Sequence, residues 1–280
     1  MPASSIAKRQ NYEQSKLLFA SFLGAEVYGC LAIPSSNPCF SYDLKTGLWS
    51  TYQRPLPSAF SCTHGCLSTA SKTHLYVFEA MSGSKRIPPA RYNGNKWQSL
   101  ESLKLPMESF VAKKRAAHDA KYPHFARSGS VRPLDTASYK DFAVAFYDQK
   151  VVVCGGVYAF EYEYWSDVEV LADCFYFNAS RQLDDNISWE PFGNMTTARS
   201  AFPLVVANGE LYAIGGRTLA QLKQMAAEPN LSTKQSSVGG LTTIEKFDRS
   251  QKRWLQLAEE LVVPLKESQA ALVVHRASLP

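Results

Sequence analysis

A chain of 280 residues with 45% hydrophobic and 12% aromatic content can bury a large core and is too apolar to be generally disordered. Its formal charge is +5, and no continuous basic stripe interleaves with aromatics, so an acidic partner is permitted and nucleic acid is not expected.

Residues 1–15 read as a polar N-terminal extension carrying Lys8 and Arg9. The apolar stretch that follows, 17–24, is too short to cross a membrane and is closed by Glu26. No small-residue cleavage site follows it, so neither a signal peptide nor a membrane partner is expected. Six cysteines (Cys30, Cys39, Cys62, Cys66, Cys154, Cys174) show no disulfide-framework spacing, and Cys154 falls in an expected buried strand. Those thiols fit a reducing compartment, and the expected location is cytoplasmic. Without an export signal, the four N-x-S/T sequons at Asn178, Asn186, Asn194 and Asn230 read as coincidences of a turn-rich sequence.

One unit recurs along the chain. The first copy places an apolar run at 26–33 before Tyr42-Asp43 and a lone Trp49. The second runs through 74–78 to Tyr92-Asn93 and Trp97. After a long insertion, the third has apolar runs at 142–147 and 151–154, the pair Gly155-Gly156, then Phe177-Asn178 and Trp189. The fourth repeats it, with runs at 201–207 and 211–214, Gly215-Gly216, Phe247-Asp248 and Trp254. Pro34-Ser35 and Glu79-Ala80 stand where the first two copies lack the double glycine, and 269–274 starts a fifth copy. Short strands punctuated by turns, four to a unit, argue an all-β architecture.

Double glycine, aromatic-Asp/Asn step and tryptophan together resemble kelch repeats over roughly residues 16–275. The resemblance implies a kelch-type β-propeller with four readable four-stranded blades at about 16–54, 58–103, 139–194 and 198–258. A partial fifth blade lies at 266–275 and an insertion at 104–138. One lone strand of a fifth blade would leave the ring incomplete, with an open edge for pairing or self-association. Most repeated residues read as structural. Gly155, Gly156, Gly215 and Gly216 allow a turn with φ > 0 and close approach of a neighbour. The Asn or Asp starts a tight turn through its side chain. Trp49, Trp97, Trp189 and Trp254 should be core residues of the outermost strands, wedged between blades.

Catalytic chemistry is thin. Cys62, His64 and Cys66 invite zinc, but no second Cys or His pair follows at finger spacing, so neither a metal nor a cofactor is expected. No Lys-Ser/Thr follows Gly155-Gly156 to make a phosphate cradle. The five histidines flank no nucleophile turn, and the expected innermost strands carry none, so no catalytic residue is assigned. Some propellers of the resembled type are oxidases or sugar mutarotases, which leaves an enzyme acting on a sugar or small molecule as the alternative.

Three long loops fall where connections open on a single face of such a fold: 104–138, 157–173 and 217–241. The first is rich in Lys and Arg, and the second is acidic and aromatic. A protein-recognition face follows, with Tyr162, Tyr164 and Trp165 as rigid anchors and Arg199 and Arg217 as forked donors to a partner's carboxylates. Tyr139 joins this partner-binding set. The kelch resemblance implies a peptide degron or a cytoskeletal protein such as actin as partner, and substrate recognition for a cullin-type ubiquitin ligase as the role.

Overall fold

The structure, a computed structural model, describes residues 16–23, 26–32, 39–52, 56–57, 60, 66–79, 89–100, 138–162, 165–179, 188–227 and 239–262. Among them the chain is all-β apart from one short helix, with five antiparallel sheets of three or four strands. It divides into two compact units, Met1–Ala80 with Ile87–Glu101, and Met81–Arg86 with Ser102–Pro280.

The first unit holds two four-stranded sheets, each with its strands in chain order. One is β1 (Lys16–Leu23), β2 (Glu26–Ala32), β3 (Cys39–Asp43) and β4 (Trp49–Tyr52). The other is β5 (Cys66–Ala70), β6 (Leu75–Glu79), β7 (Ala90–Tyr92) and β8 (Trp97–Ser99). Strand β1 lies against β5 and β6. Tyr28, Leu56, Phe60, Leu75, Val77 and Tyr92 share the core, and the rings of Tyr28 and Tyr92 meet at 5.7 Å.

The second unit opens with β9 (Ser138–Lys140), β10 (Ala143–Tyr147) and β11 (Lys150–Cys154), then β12 (Val157–Tyr162) and β13 (Trp165–Val170). Strands β14 (Cys174–Asn178) and β15 (Glu190–Pro191) complete a sheet ordered β10-β11-β14-β15, while β13-β12-β9 form a separate three-stranded sheet. The last sheet comprises β16 (Leu204–Ala207), β17 (Glu210–Ile214), β18 (Thr243–Asp248) and β19 (Arg253–Glu260), with helix α1 (Leu219–Ala227) between its second and third strands. Strands β10 and β16 are in contact, and Val152, Phe202, Leu204, Leu211, Phe247 and Trp254 share a core.

The repeated sequence signals have physical counterparts. Asp43 Oδ1 accepts the backbone N–H groups of Lys45 and Thr46; Asn93 and Asp248 do the same for the residues two and three positions ahead. The backbone bond from Lys45 lowers the Asp43 pKa, and the Ser250 hydroxyl, donating to Asp248 Oδ1 at 2.6 Å, together with these backbone bonds lowers that of Asp248. The double glycines have φ values of 61° and 100° at 155–156 and 63° and 96° at 215–216, where a side chain is strained. A Cβ on Gly156 would lie 2.9 Å from Lys140 O and from the Phe142 side chain, and one on Gly216 would lie 2.8 Å from Ser200 O. Register places the first sheet's equivalent of the double glycine at Leu31-Ala32 rather than Pro34-Ser35, because Glu26 pairs with Asp43 as Lys150 pairs with Asn178.

Each of the four repeat tryptophans pairs with the aromatic of its own repeat. Centroid distances are 4.8 Å for Tyr42–Trp49, 5.0 Å for Tyr92–Trp97, 5.2 Å for Phe177–Trp189 and 5.5 Å for Phe247–Trp254. Trp49, Trp97 and Trp254 lie on the outermost strands, and Trp189 immediately precedes β15. Their burial is unequal: Trp254 is 2% exposed, Trp97 and Trp189 are half-buried, and Trp49 is 67% exposed. The expectation of a core residue therefore fails at Trp49, whose ring rests on Phe40 and Tyr42 with its other face in water. In the second unit, Phe192 touches both four-stranded sheets, stacked on Phe247 at 4.3 Å and edge-on to Tyr147 and Tyr176, and Tyr147 also meets Phe247 edge-on at 6.3 Å.

The free-thiol expectation also fails. Cys30 is bonded to Cys39 and Cys154 to Cys174, Cys66 is disulfide-bonded as well, and no described cysteine is free. Separations of 9 and 20 residues look unrelated, yet both pairs occupy the same rung between second and third strands, as direct register partners with Cα atoms 4.0 and 4.1 Å apart. Connection length varies from sheet to sheet, and the ladder absorbs the difference. The insertion expected at 104–138, apart from Ser138 at the start of β9, the strand expected at 269–274 and its blade 266–275 lie outside the described residues.

Candidate functional site

The candidate site is the end of the second unit's sheets where the connections between second and third strands emerge. The segment expected as a loop at 157–173 is mostly sheet. Strands β12 and β13 form a hairpin, with Tyr162 pairing Trp165, and β12 also pairs with β9. Alternation explains this: Val157, Ala159 and Glu161 alternate with Tyr158, Phe160 and Tyr162, and β-branched and aromatic residues suit a pleated surface. Tyr162 and Trp165 thus sit on strand ends at the hairpin tip, and Tyr164 lies outside the described residues.

In the neighbouring sheet, the corresponding connection starts with helix α1. Thr218 and Gln221 cap it reciprocally: Thr218 N–H donates to Gln221 Oε1 at 2.8 Å, and Gln221 N–H donates to Thr218 Oγ1 at 3.4 Å. Gln221 Nε2 also donates to Gly239 O at 2.8 Å, which ties the returning chain to the helix start. Leu219, Leu222 and Met225, spaced to share one helical face, are half-buried, and the helix contacts β13. Connections from two successive sheets thereby meet.

The remaining expected contact residues separate sharply. Arg199 is not a free donor. It is fully buried and ion-paired to Glu245, itself fully buried. Its Nη1 donates to Gly215 O at 2.8 Å and Thr243 O at 3.3 Å. Glu245 in turn accepts the backbone N–H groups of Thr196 at 2.6 Å and Thr197 at 3.0 Å. Burial draws the Arg199 pKa down, and the facing carboxylate opposes it. The charge is thereby paired internally, as a buried ion requires, and both Nη groups are bonded, while Nε has no hydrogen-bond partner among the described residues.

Tyr139 is likewise unavailable to a partner. It is 1% exposed, stacks on Phe142 at 4.7 Å and donates its hydroxyl to Gly155 O at 2.6 Å. Burial, reinforced by the Asp173 charge, lifts its phenol far above the ordinary tyrosine range. Arg217 is half-buried, and its backbone exchanges both hydrogen bonds with Ser200 across an isolated bridge. Cys66 is held in a disulfide, which removes a thiolate that the zinc reading needs.

Two features were missed at the sequence level, each with a readable signal. Glu245 alternates with Phe247 at the period of a strand, which sends both to one face. Thr218-x-x-Gln221 before an apolar face is a helix-start signature.

The chain matches no protein-family model and no curated protein. Among solved structures it is similar to that of YjhT, with 13% sequence identity and a TM-score of 0.42, over 70% of this chain and 51% of that one. The chain therefore spans about half the length of that protein, and at this TM-score the likeness carries no argument.

Proposed function

We propose that the chain is a kelch-type β-propeller acting as a non-enzymatic protein-recognition module. Four-stranded sheets with strands in chain order, and first strands of successive sheets in contact within each unit, support blades arranged around an axis. The observation that carries the recognition reading is the meeting of the β12–β13 hairpin with helix α1. Two extended connections, one ending in Tyr162 and Trp165, provide a surface on a rigid sheet scaffold. Arg217 remains a candidate donor beside it; Arg199 and Tyr139 serve the scaffold.

Substrate recognition for a cullin-type ubiquitin ligase and actin association are the forms that the repeat resemblance suggests, and a propeller enzyme of sugar chemistry is the rival. Ligase and actin roles belong to a reducing cytoplasm, and the paired cysteines weigh against that setting. The recognition module itself does not depend on compartment. Among the described residues, no helix is long and apolar enough to cross a membrane.

Affinity capture with the full chain tests the proposal. Protein replaced by alanine at Tyr162, Tyr164 and Trp165 should lose the partner that the unmodified chain retains and keep its melting temperature. Undiminished capture, or loss of folding, would remove the hairpin tip from the reading. Turnover of a sugar substrate by the purified chain would favour the enzyme.

A further inference from the structure

The four sequons read as coincidences in a chain without an export signal and with free thiols, but no cysteine among the described residues is free. Cys30 and Cys39 are 1% and 6% exposed, and Cys154 and Cys174 are 0% and 1% exposed, so reductant reaches them only when the sheets open. Bonds of this kind form and persist where an oxidising disulfide donor accepts two electrons and two protons per thiol pair. The same compartments host asparagine glycosylation, which makes each sequon's exposure informative.

Two of the sequon asparagines are described residues. Asn178 ends β14 in register with Lys150 and is half-buried. Asn194 lies in the irregular link after β15 and is exposed, with Nδ2 donating to Asp173 Oδ1 at 3.4 Å. Between Asn194 and Thr196, Met195 is 4% exposed in the second unit's core, and Thr196 N–H is bound by Glu245. A transferase needs the whole tripeptide free to enter its site, so it must act before this link folds. The folded chain need only tolerate the product, and an exposed amide does.

We propose that Asn194 is an N-glycosylation site on a chain that folds oxidatively. In the reaction, Asn194 Nδ2 attacks the anomeric carbon of an oligosaccharide carried on a lipid pyrophosphate. A C–N bond forms, the C–O bond to the pyrophosphate breaks, and the lipid pyrophosphate departs with the bonding pair. One Nδ2 proton passes to the transferase's base. The remaining N–H still donates to Asp173, so attachment keeps this side-chain bond. Asp173 is the last residue of the connection that holds the β12–β13 hairpin, so the glycan borders the surface proposed for recognition without resting on that proposal.

The test uses the full-length protein from its own cells. Thiols are blocked before reduction, the glycan is released with an amidase in heavy-oxygen water, and peptides are read by mass spectrometry. The expected result is labelled aspartate at position 194, with Cys30, Cys39, Cys154 and Cys174 blocked only after reduction. Unmodified Asn194, or thiols already free, overturns the proposal. In the same cells Asn194→Gln should lose one glycosidase-sensitive mobility step and Thr196→Ser should keep it. Unchanged mobility of Asn194→Gln overturns it as well. Partner capture is not read in this experiment, so failure here leaves the recognition reading standing.

Discussion

Replacing Arg199 with methionine separates two roles that its position in the chain leaves open. The guanidinium sits at 0% exposure against a carboxylate at 0% exposure. Methionine fills much of the volume and leaves Glu245 with two backbone N–H donors and no cation, while Gly215 O and Thr243 O lose a donor. Breaking a buried pair from one side costs about 3–5 kcal/mol, because an uncompensated charge stays behind. For a unit of this size, that corresponds to a fall in Tm of roughly 10 °C. Calorimetry on Arg199→Met, Glu245→Gln and the double variant measures it. The double variant should be much less destabilised than the sum of the singles, with a coupling of roughly 2 kcal/mol or more between them. Additive effects, or an Arg199→Met protein with unchanged Tm that no longer captures a partner, would refute the internal role and return Arg199 to the contact surface.

Trp254→Ala should destabilise by about 3–5 kcal/mol and Trp49→Ala by about 1 kcal/mol or less, since only the first empties a buried site; equal urea midpoints for the two variants would contradict the unequal burial. Tyr139→Phe forfeits the hydrogen bond to Gly155 O and should cost about 1 kcal/mol near neutrality. The raised Tyr139 pKa adds a pH dependence. Above about pH 10 the unfolded chain releases this proton and the folded chain keeps it, so stability present below that pH is lost as pH rises, by about 1.4 kcal/mol per unit. Phenylalanine has no such proton, and the gap between parent and variant in urea unfolding should therefore narrow between about pH 8 and about pH 11; a constant gap would show that Tyr139 ionises freely in the folded state.

Local signals survived the passage from sequence to structure where the interaction that causes them is local. The turn at Asp43 needs only the backbone two and three residues ahead, and the same holds at Asn93 and Asp248. Tyr42–Trp49 and its counterparts depend on one hairpin, so the pairing was legible and the burial was not. Burial depends on what lies over the strand, and Trp49 and Trp254 occupy the same place in their repeats with opposite exposures. The cysteines show the same limit, since their pairing is fixed by register across connections of unequal length. The hairpin at 157–170 is hidden for another reason: its place between the second and third strands of a repeat suggests a loop, although its alternation is that of a strand.

Arg199 was misplaced despite a signal pointing at it. A double glycine ending a strand means that some backbone comes too close for a side chain. Here that backbone is the link leading into β16: a Cβ on Gly155 would strike Arg199 O, and one on Gly216 would meet Ser200 O and the Phe202 side chain. Gly156 N–H donates to Arg199 O at 2.9 Å, and Arg217 N–H donates to Ser200 O at 2.9 Å. The link is thus gripped between the glycine corners of two successive sheets. A residue so held has no path to solvent, and a long cation placed there must find its anion inside the protein. Thr243, Glu245 and Phe247 alternate along the adjacent strand, and Glu245 is the acid on the buried side. The glycines and the ion pair are therefore one device for joining neighbouring sheets, and it leaves recognition to the hairpin and helix that project beyond it.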